Sequence, residues 1–456
     1  MVKLKWWPAA LVALVVPCFA SANLDPEEKK PRLLELRTRK AGDARFKVPR
    51  KWKVLVAEEG EVQEDQTYLH LQHKDENGGI SQVIGIRTRG TTRGLPRLVL
   101  SAMKPEALGF DLTEDDVRVA ESRQGYPVAY ARDSGRSEEL GKRVRAQAFA
   151  MKPGRAVEVL VYLSTAGGAA RYEREAELAA FVRELRYASA KDPIRDPLEP
   201  RASTRRLDLI AYSTGLLNMP NSFGGMDIEF TVNYHVFAPN GRYSRVVPDD
   251  GRITEIDWKK FAEERPTKVG VYEIQRGASS EGDSRKARLV IRTQDEFGFV
   301  KETEGEVTYE VPVAGQAALI PSELRVRGAS QSLLYPLEST RLRGRYHHSH
   351  VSSGSSVTSS GSSVRTRTIT MKRSGTFETT RFFSASFSLE NSDSRTSGVT
   401  SSKPPATTGK YQLEGYTLTL NFDDGRVLSR FCHPVSDKDD SMLLINGAPY
   451  RFLGRR

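Results

Sequence analysis

From Gly409 to Leu453, apolar and polar side chains take alternate positions. Tyr416, Leu418, Leu420 and Phe422 fall on one side, with Thr417, Thr419 and Asn421 on the other. A period of two marks a β-strand with one buried face. Asp424-Gly425 then supplies a hairpin turn, because both central positions of a type I′ turn need positive φ. Asn446-Gly447 does the same between Met442–Ile445 and Tyr450–Leu453, and Glu414-Gly415 closes a tight turn after Tyr411–Leu413. The stretch predicts an antiparallel meander and carries no reaction chemistry of its own.

Earlier in the chain the period changes. Residues 23–45 are charged and read as a flexible lead-in. Trp52–Val56, Thr67–His73, Ile80–Thr88, Val128–Arg132, Arg145–Met151 and Val157–Leu163 read as strands. Leu98–Met103 is helical after Pro96. Between Ala170 and Leu185, Ala176, Leu178, Ala179, Phe181, Val182 and Leu185 form a stripe at helical spacing. Strands closed by a covering helix predict an α+β sandwich over residues 46–188.

Phe46-Lys47-Val48-Pro49-Arg50-Lys51-Trp52, Gly125-Tyr126-Pro127-Val128-Ala129-Tyr130 and the strand pair before the closing helix resemble the PsbP-like fold. The resemblance spans about a third of the chain and implies a binding or assembly module rather than an enzyme. Residues 189–206, with Pro193, Pro197 and Pro200 among charged residues, read as a Pro-rich, extended linker.

Residues 207–456 read as all-β, an antiparallel meander or barrel, and internally duplicated. Asn240-Gly241-Arg242-Tyr243 matches Ser374-Gly375-Thr376-Phe377, and Val269-Gly270-Val271-Tyr272 matches Thr408-Gly409-Lys410-Tyr411. Arg288–Ile291 followed by Phe297 matches Thr417–Leu420 followed by Phe422. The spacing stays near about 135 residues, as duplication leaves it. One barrel or two remains open at this point. Leu342-Arg343-Gly344-Arg345-Tyr346, with Gly375-Thr376-Phe377 and Gly409-Lys410-Tyr411, resembles a lipocalin-like domain of bacterial exported proteins, with Tyr346 where the lipocalin pattern carries Trp. Ser349–Ser363 and Ser388–Thr408, nearly all small and polar, read as long hairpin tips outside the core.

The first residues set the compartment. Lys3 and Lys5 precede an apolar run, Ala9–Ala20, too short to span a bilayer, and Ala20-Ser21-Ala22 is an A-x-A cleavage site. Residues 1–22 are therefore expected to be a signal peptide, leaving an exported chain, periplasmic or extracellular, with no transmembrane segment. Val15-Val16-Pro17 before Cys18 is a poor lipobox. Cys432 is then the only mature cysteine, so no internal disulfide forms. The formal charge of +11 is scattered among nearly as many acids. That distribution suits an anionic envelope polymer or an exported protein as partner, and excludes nucleic acid, which needs a dense basic stripe interleaved with aromatics.

Candidate chemistry is sparse. His348 and His350 share a strand face and could hold a metal with a third ligand from Cys432-His433. Cys432 reads more readily as a core residue than as a nucleophile. Asp437, Asp439 and Asp440 lack the glycine and closing glutamate of a calcium loop. Gly282-Asp283-Ser284 leads into Arg285 in a charged loop, and no nucleophile elbow, zinc-protease motif or phosphate loop occurs. Tyr411, Tyr416, Phe422 and Tyr450 are candidates to line a ligand cavity. The expected function is an exported, non-catalytic binding or assembly protein of the cell envelope, needing no cofactor. The alternatives are a carrier of a small apolar ligand and an unrecognised hydrolase.

Overall fold

The computed structural model describes residues 36–454 apart from 42–43, 58–64, 104–109, 111, 138–141, 189, 191–195, 202–205, 221–225, 282–283, 311–318, 320, 335–341, 356–358, 392–393, 403–404 and 437–438. The leader, Asp437 and Gly282-Asp283 lie outside the described residues. The chain forms two compact units. One comprises residues up to Glu199 together with Arg292–Lys301, and the other comprises Pro200–Ile291 and Glu302–Arg456.

In the first unit, β1 (Leu36–Ala41), β2 (Ala44–Pro49), β3 (Lys53–Ala57), β4 (Thr67–Lys74) and β5 (Ile80–Thr88) lead to helix α1 (Leu95–Met103). There follow β6 (Arg118–Ser122), β7 (Pro127–Ser137), β8 (Lys142–Met151), β9 (Val157–Ser164), α2 (Gly168–Glu184) and β10 (Arg186–Tyr187). The sheet order β6-β7-β8-β9-β5-β4-β3 is antiparallel throughout. Its strands bury both faces. Leu178, Phe181 and Val182 of α2 pack with Phe149, Leu160 and Tyr162, while Leu95, Val99 and Met103 of α1 pack with Ala148, Ala150 and Val159. The lead-in reading of residues 23–45 fails over its last part, which is strand. Ala41, Ala44, Phe46 and Val48 are buried in turn, and β2 is the centre of a three-stranded sheet β1-β2-β10.

A buried ionic network fastens α2. Arg174, only 2% exposed, bonds Glu177, which also accepts from Trp52 Nε1 at 2.8 Å. Asp75 lies 3.5 Å from Arg174 and 3.2 Å from His73. The segment Arg292–Lys301 completes this core: Phe297 stacks edge-on to Phe149 at 4.9 Å, and Tyr130 donates to Asp295 Oδ2 at 2.7 Å.

The second unit contains two closed eight-stranded antiparallel barrels. The first runs β11 (Leu209–Pro220), β12 (Met226–Phe237), β13 (Arg242–Ser244), helix α3 (Trp258–Glu264), β14 (Val269–Glu281), β15 (Ser284–Gln294), β16 (Phe299–Glu310), β17 (Pro321–Val326) and β18 (Ala329–Leu334). It closes through β11–β18. The second runs β19 (Gly344–Ser355), β20 (Ser359–Met371), β21 (Thr376–Asn391), β22 (Ser394–Ser402), β23 (Thr407–Glu414), β24 (Thr417–Phe422), β25 (Val427–Ser436), β26 (Asp439–Ile445) and β27 (Ala448–Phe452). It closes through β19–β27, and β22 hangs outside it on β21.

The barrels share a set of turn and tyrosine bonds. Gly241 N–H bonds Ala238 O at 2.9 Å, and Gly375 N–H bonds Lys372 O at 3.0 Å. Tyr272 N–H reaches Gly241 O as Tyr411 N–H reaches Gly375 O. The Tyr272 hydroxyl lies on Leu207 O and Ala238 O; the Tyr411 hydroxyl lies on Leu342 O and Lys372 O. One part of the sequence alignment shifts. Asp295 N–H bonds Phe299 O as Phe422 N–H bonds Arg426 O, so the counterpart of Phe422 is Asp295, and Phe297 is a turn residue.

The serine-rich tips are also strands. Register continues from His350↔Arg365 to Ser355↔Ser360 and from Ser384↔Ser401 to Asn391↔Ser394. Backbone pairing asks only that the chain extend, and threonine, valine and serine permit this without an apolar core beneath them.

Candidate functional site

Among the described residues, each barrel interior holds an apolar cluster drawn from its own strands. In the second, Tyr346, Phe377, Leu418 and Leu443 are almost wholly buried at the centre of a cluster drawn from every strand. Tyr411 and Phe422 belong to this packing, Phe422 meeting Phe377 edge-on at 5.1 Å. Tyr416 does not share their face. It sits in the turn before β24, which resets the alternation, and its hydroxyl donates to Leu334 O at 3.0 Å. There it joins the apolar layer between the barrels, with Tyr212, Tyr234, Phe431 and Leu444.

One pleat along from the buried rows, the inner face turns basic. β19, β20 and β21 bring His348, Arg367 and Arg381 into one cross-strand row. The parity is that of Tyr346, Ile369 and Phe377, so the row continues the barrel's inner face at its rim. Tyr450 of β27 extends it: its ring lies 5.3 Å from the His348 ring, and Arg367 Nη1 approaches its hydroxyl at 3.5 Å. Partial burial, then the charges of Arg367 and Arg426, hold the Arg381 guanidinium below its ordinary pKa, with Tyr450 opposing them. Arg426 is itself matched by Asp424 at 2.7 Å. Among the described residues, no carboxylate pairs with Arg367 or Arg381. Two guanidiniums side by side without a counter-charge form an anion-binding surface, each fork offering two parallel donors.

The expected metal pair is placed differently. His348 and His350 share a face, but His348 Nδ1–H donates to Pro449 O at 2.9 Å and His350 stands 3.8 Å from Asp227. The supposed third ligand points elsewhere. Cys432 faces the barrel core, and burial pushes its thiol up to about 12. His433, on the opposite face, meets Tyr234 Oη at 3.0 Å, and burial holds its imidazole down to about 4. Among the described residues no group of three His, Cys, Asp or Glu side chains could hold a metal ion. The structure thus brings His348 against Tyr450, packs Tyr411, Phe422 and Tyr450 into one core cluster, and places Tyr416 in the layer between the barrels. Arg367 and Arg381 were missed, although Val364-Arg365-Thr366-Arg367-Thr368-Ile369 carries the signal: arginines on the same parity as a core isoleucine.

The sister barrel lacks these groups. Ser213 pairs with Asn233 as His348 pairs with Arg367. Gln331, next to Ser332 in the β18 ladder, takes the place of Tyr450. The His348–Arg367–Tyr450 group is therefore not a requirement of the scaffold; the sister barrel sets Arg245 and Arg327 near His235 instead.

No family model and no curated protein matches this chain. A solved structure from Bacteroides thetaiotaomicron VPI-5482 is 13% identical over 33% of this chain, with a TM-score of 0.21. The match spans about half of that protein's length, 47%. No helix among the described residues is long and apolar enough to cross a membrane.

Proposed function

We propose that this is an exported, non-catalytic binding protein of the bacterial envelope, and that the row Tyr450–His348–Arg367–Arg381 receives an anionic group of an envelope polymer or of another exported protein. The observation that carries the reading is the Arg367–Arg381 pair, which has no carboxylate partner among the described residues, and whose His348–Arg367 step is Ser213–Asn233 in the sister barrel. Export rests on the leader pattern of residues 1–22. The repeated turn bonds favour duplication of one lipocalin-like unit, and a sheet with a helix on each face favours a PsbP-like first unit. A carrier role needs interior space that Tyr346, Phe377 and Leu443 occupy. A hydrolase that used Cys432 with His433 as its base would need both on one face, and they lie on opposite faces.

Titration calorimetry of the mature chain with polyphosphate and with polyglutamate tests the proposal. Charge-assisted hydrogen bonds are worth about 1.5–3 kcal/mol each, so Arg367→Gln/Arg381→Gln should weaken binding at least about tenfold. Arg136→Gln/Arg143→Gln, in a surface groove of about 490 Å³ in the first unit, is the control. No binding by the parent chain, or equal loss in both variants, refutes the assignment.

A further inference from the structure

Arg327 is an unexpected residue for its turn. It takes the first position of the two-residue β17–β18 hairpin, with Gly328 second, and both have positive φ, 53° and 77°. The second barrel fills the same position with Asn446, also at positive φ. The two turns share a bond: Arg327 N–H reaches Glu304 O at 3.0 Å as Asn446 N–H reaches Phe431 O at 2.8 Å. Asparagine tolerates this conformation, whereas a long side chain resists it. The Asn446 side chain also fastens its surroundings, its Oδ1 accepting from Phe431 N–H at 2.9 Å. Among the described residues, the Arg327 side chain makes no such bond. Strain at a non-glycine residue marks a place where the side chain has another use.

That use lies on the lumen face. Val326, one residue back, packs in the barrel core with Phe237 and Tyr243. His235 shares the Phe237 face of β12 and is 7% exposed, and its Nδ1 lies 2.6 Å from Tyr243 Oη. Tyr243 is fully buried, and its hydroxyl has no other partner among the described residues, so the O–H donates to Nδ1. The imidazole proton is then on Nε2, where it has no partner among the described residues. Arg245 comes from a third element. The ladder sets Ser244 opposite Val236, so Arg245 follows level with His235. Its backbone is held by its N–H on Lys268 O at 2.8 Å and by Ser244 Oγ, which bonds both the N–H and the C=O of Val246.

Burial first, then the charges of Arg245 and Arg327, hold the His235 imidazole down to about 4, so both guanidiniums bear on one ring. Neighbouring carboxylates are taken, Glu304 by Arg288 and Glu323 by Arg325. Among the described residues none pairs with Arg245 or Arg327. Two cations and one neutral N–H thus come together from β12, the end of β13 and the β17–β18 turn. A carboxylate is planar and carries one charge. A phosphate group offers oxygens in several directions and carries nearly two charges at neutral pH, which matches this set.

We propose that His235, Arg245 and Arg327 form a binding site for one phosphate group at the mouth of the first barrel, free or as a phosphomonoester. The site shares no residue with the Arg367–Arg381 row and does not rest on it.

The test follows the imidazole NMR signals of His235 in the mature chain, identified by their loss in His235→Gln. Inorganic phosphate or methyl phosphate should shift them, and acetate at equal concentration should not; which phosphate acts names the source. Arg327→Asn should weaken that binding at least about tenfold, from the charge-assisted bond withdrawn. Its unfolding midpoint should hold or rise, because asparagine suits the turn. An arginine with only a structural role would give the reverse, a lower midpoint and unaltered binding. Arg367→Gln/Arg381→Gln should keep the His235 shifts, which separates this site from the row. No shift with either phosphate, an equal shift with acetate, unaltered affinity in Arg327→Asn, or shifts abolished by Arg367→Gln/Arg381→Gln would each overturn the site.

Discussion

Tyr272 and Tyr411 hold corresponding places in the two barrels, and the Tyr272 hydroxyl carries a testable share of the stability. Each hydroxyl lies on two backbone carbonyls at the start of its barrel. Tyr272 has a third partner: its oxygen accepts the Leu207 N–H at 2.8 Å, and Leu207 is fully buried. Tyr272→Phe therefore removes a donor and also strands a buried amide. An ordinary hydrogen bond contributes about 1 kcal/mol, and a buried group left unsatisfied costs about 1–3 kcal/mol. The expected loss is about 2–4 kcal/mol for Tyr272→Phe. Urea unfolding followed by intrinsic fluorescence reads it, with equal m-values for parent and variant required before midpoints are compared. A loss of no more than about 1 kcal/mol would mean that the Leu207 amide is not stranded, and the reasoning would fall.

Acid should weaken the second unit through His433. Burial holds its pKa at about 4 against 6.5, so the folded form stays neutral while the unfolded chain takes up a proton. Stability is complete above pH 6.5 and is lost as pH falls toward 4, by roughly 3 kcal/mol, and His433→Gln should flatten that slope. In the first unit, Arg174→Met leaves the Glu177 carboxyl facing Asp75 without a counter-charge, an expected loss of about 3–5 kcal/mol that Glu177→Gln should partly restore in calorimetric melts. Gly344→Ala puts a Cβ 2.1 Å from Phe452 Cε2 at φ 131° and should destabilise by more than about 2 kcal/mol. Gly425→Ala meets nothing within 4 Å and should cost only about 1 kcal/mol, from its positive φ.

Alternation and turn chemistry made much of the fold legible. Asn446 and Gly447 both adopt positive φ, 49° and 79°, as the type I′ reading requires, whereas at Asp424-Gly425 only the glycine does, at 85°, so that turn is of another type. The glycine–aromatic matches led to bonds that the two barrels share. Composition misled where pairing needs no apolar side chain, as in Ser349–Ser363, and where the period restarts, as at Tyr416. The basic row was hidden for a different reason. A strand announces which side chains share a face, whereas the neighbours of that face come from closure. His348, Arg367, Arg381 and Tyr450 are spread over more than a hundred positions, and only register assembles them.

The first unit is built from two separated pieces of chain, and its last piece, residues 292–301, is made long after the rest. A ribosome making the polypeptide from its N-terminus must release Tyr130 and Phe149 well before Asp295 and Phe297 exist to cover them. The nascent intermediate is thus sticky for as long as synthesis of the intervening stretch lasts. A recombinant fragment cut at Glu199 would retain that bare aromatic surface permanently, whereas one that supplies 292–301 as a grafted hairpin would not.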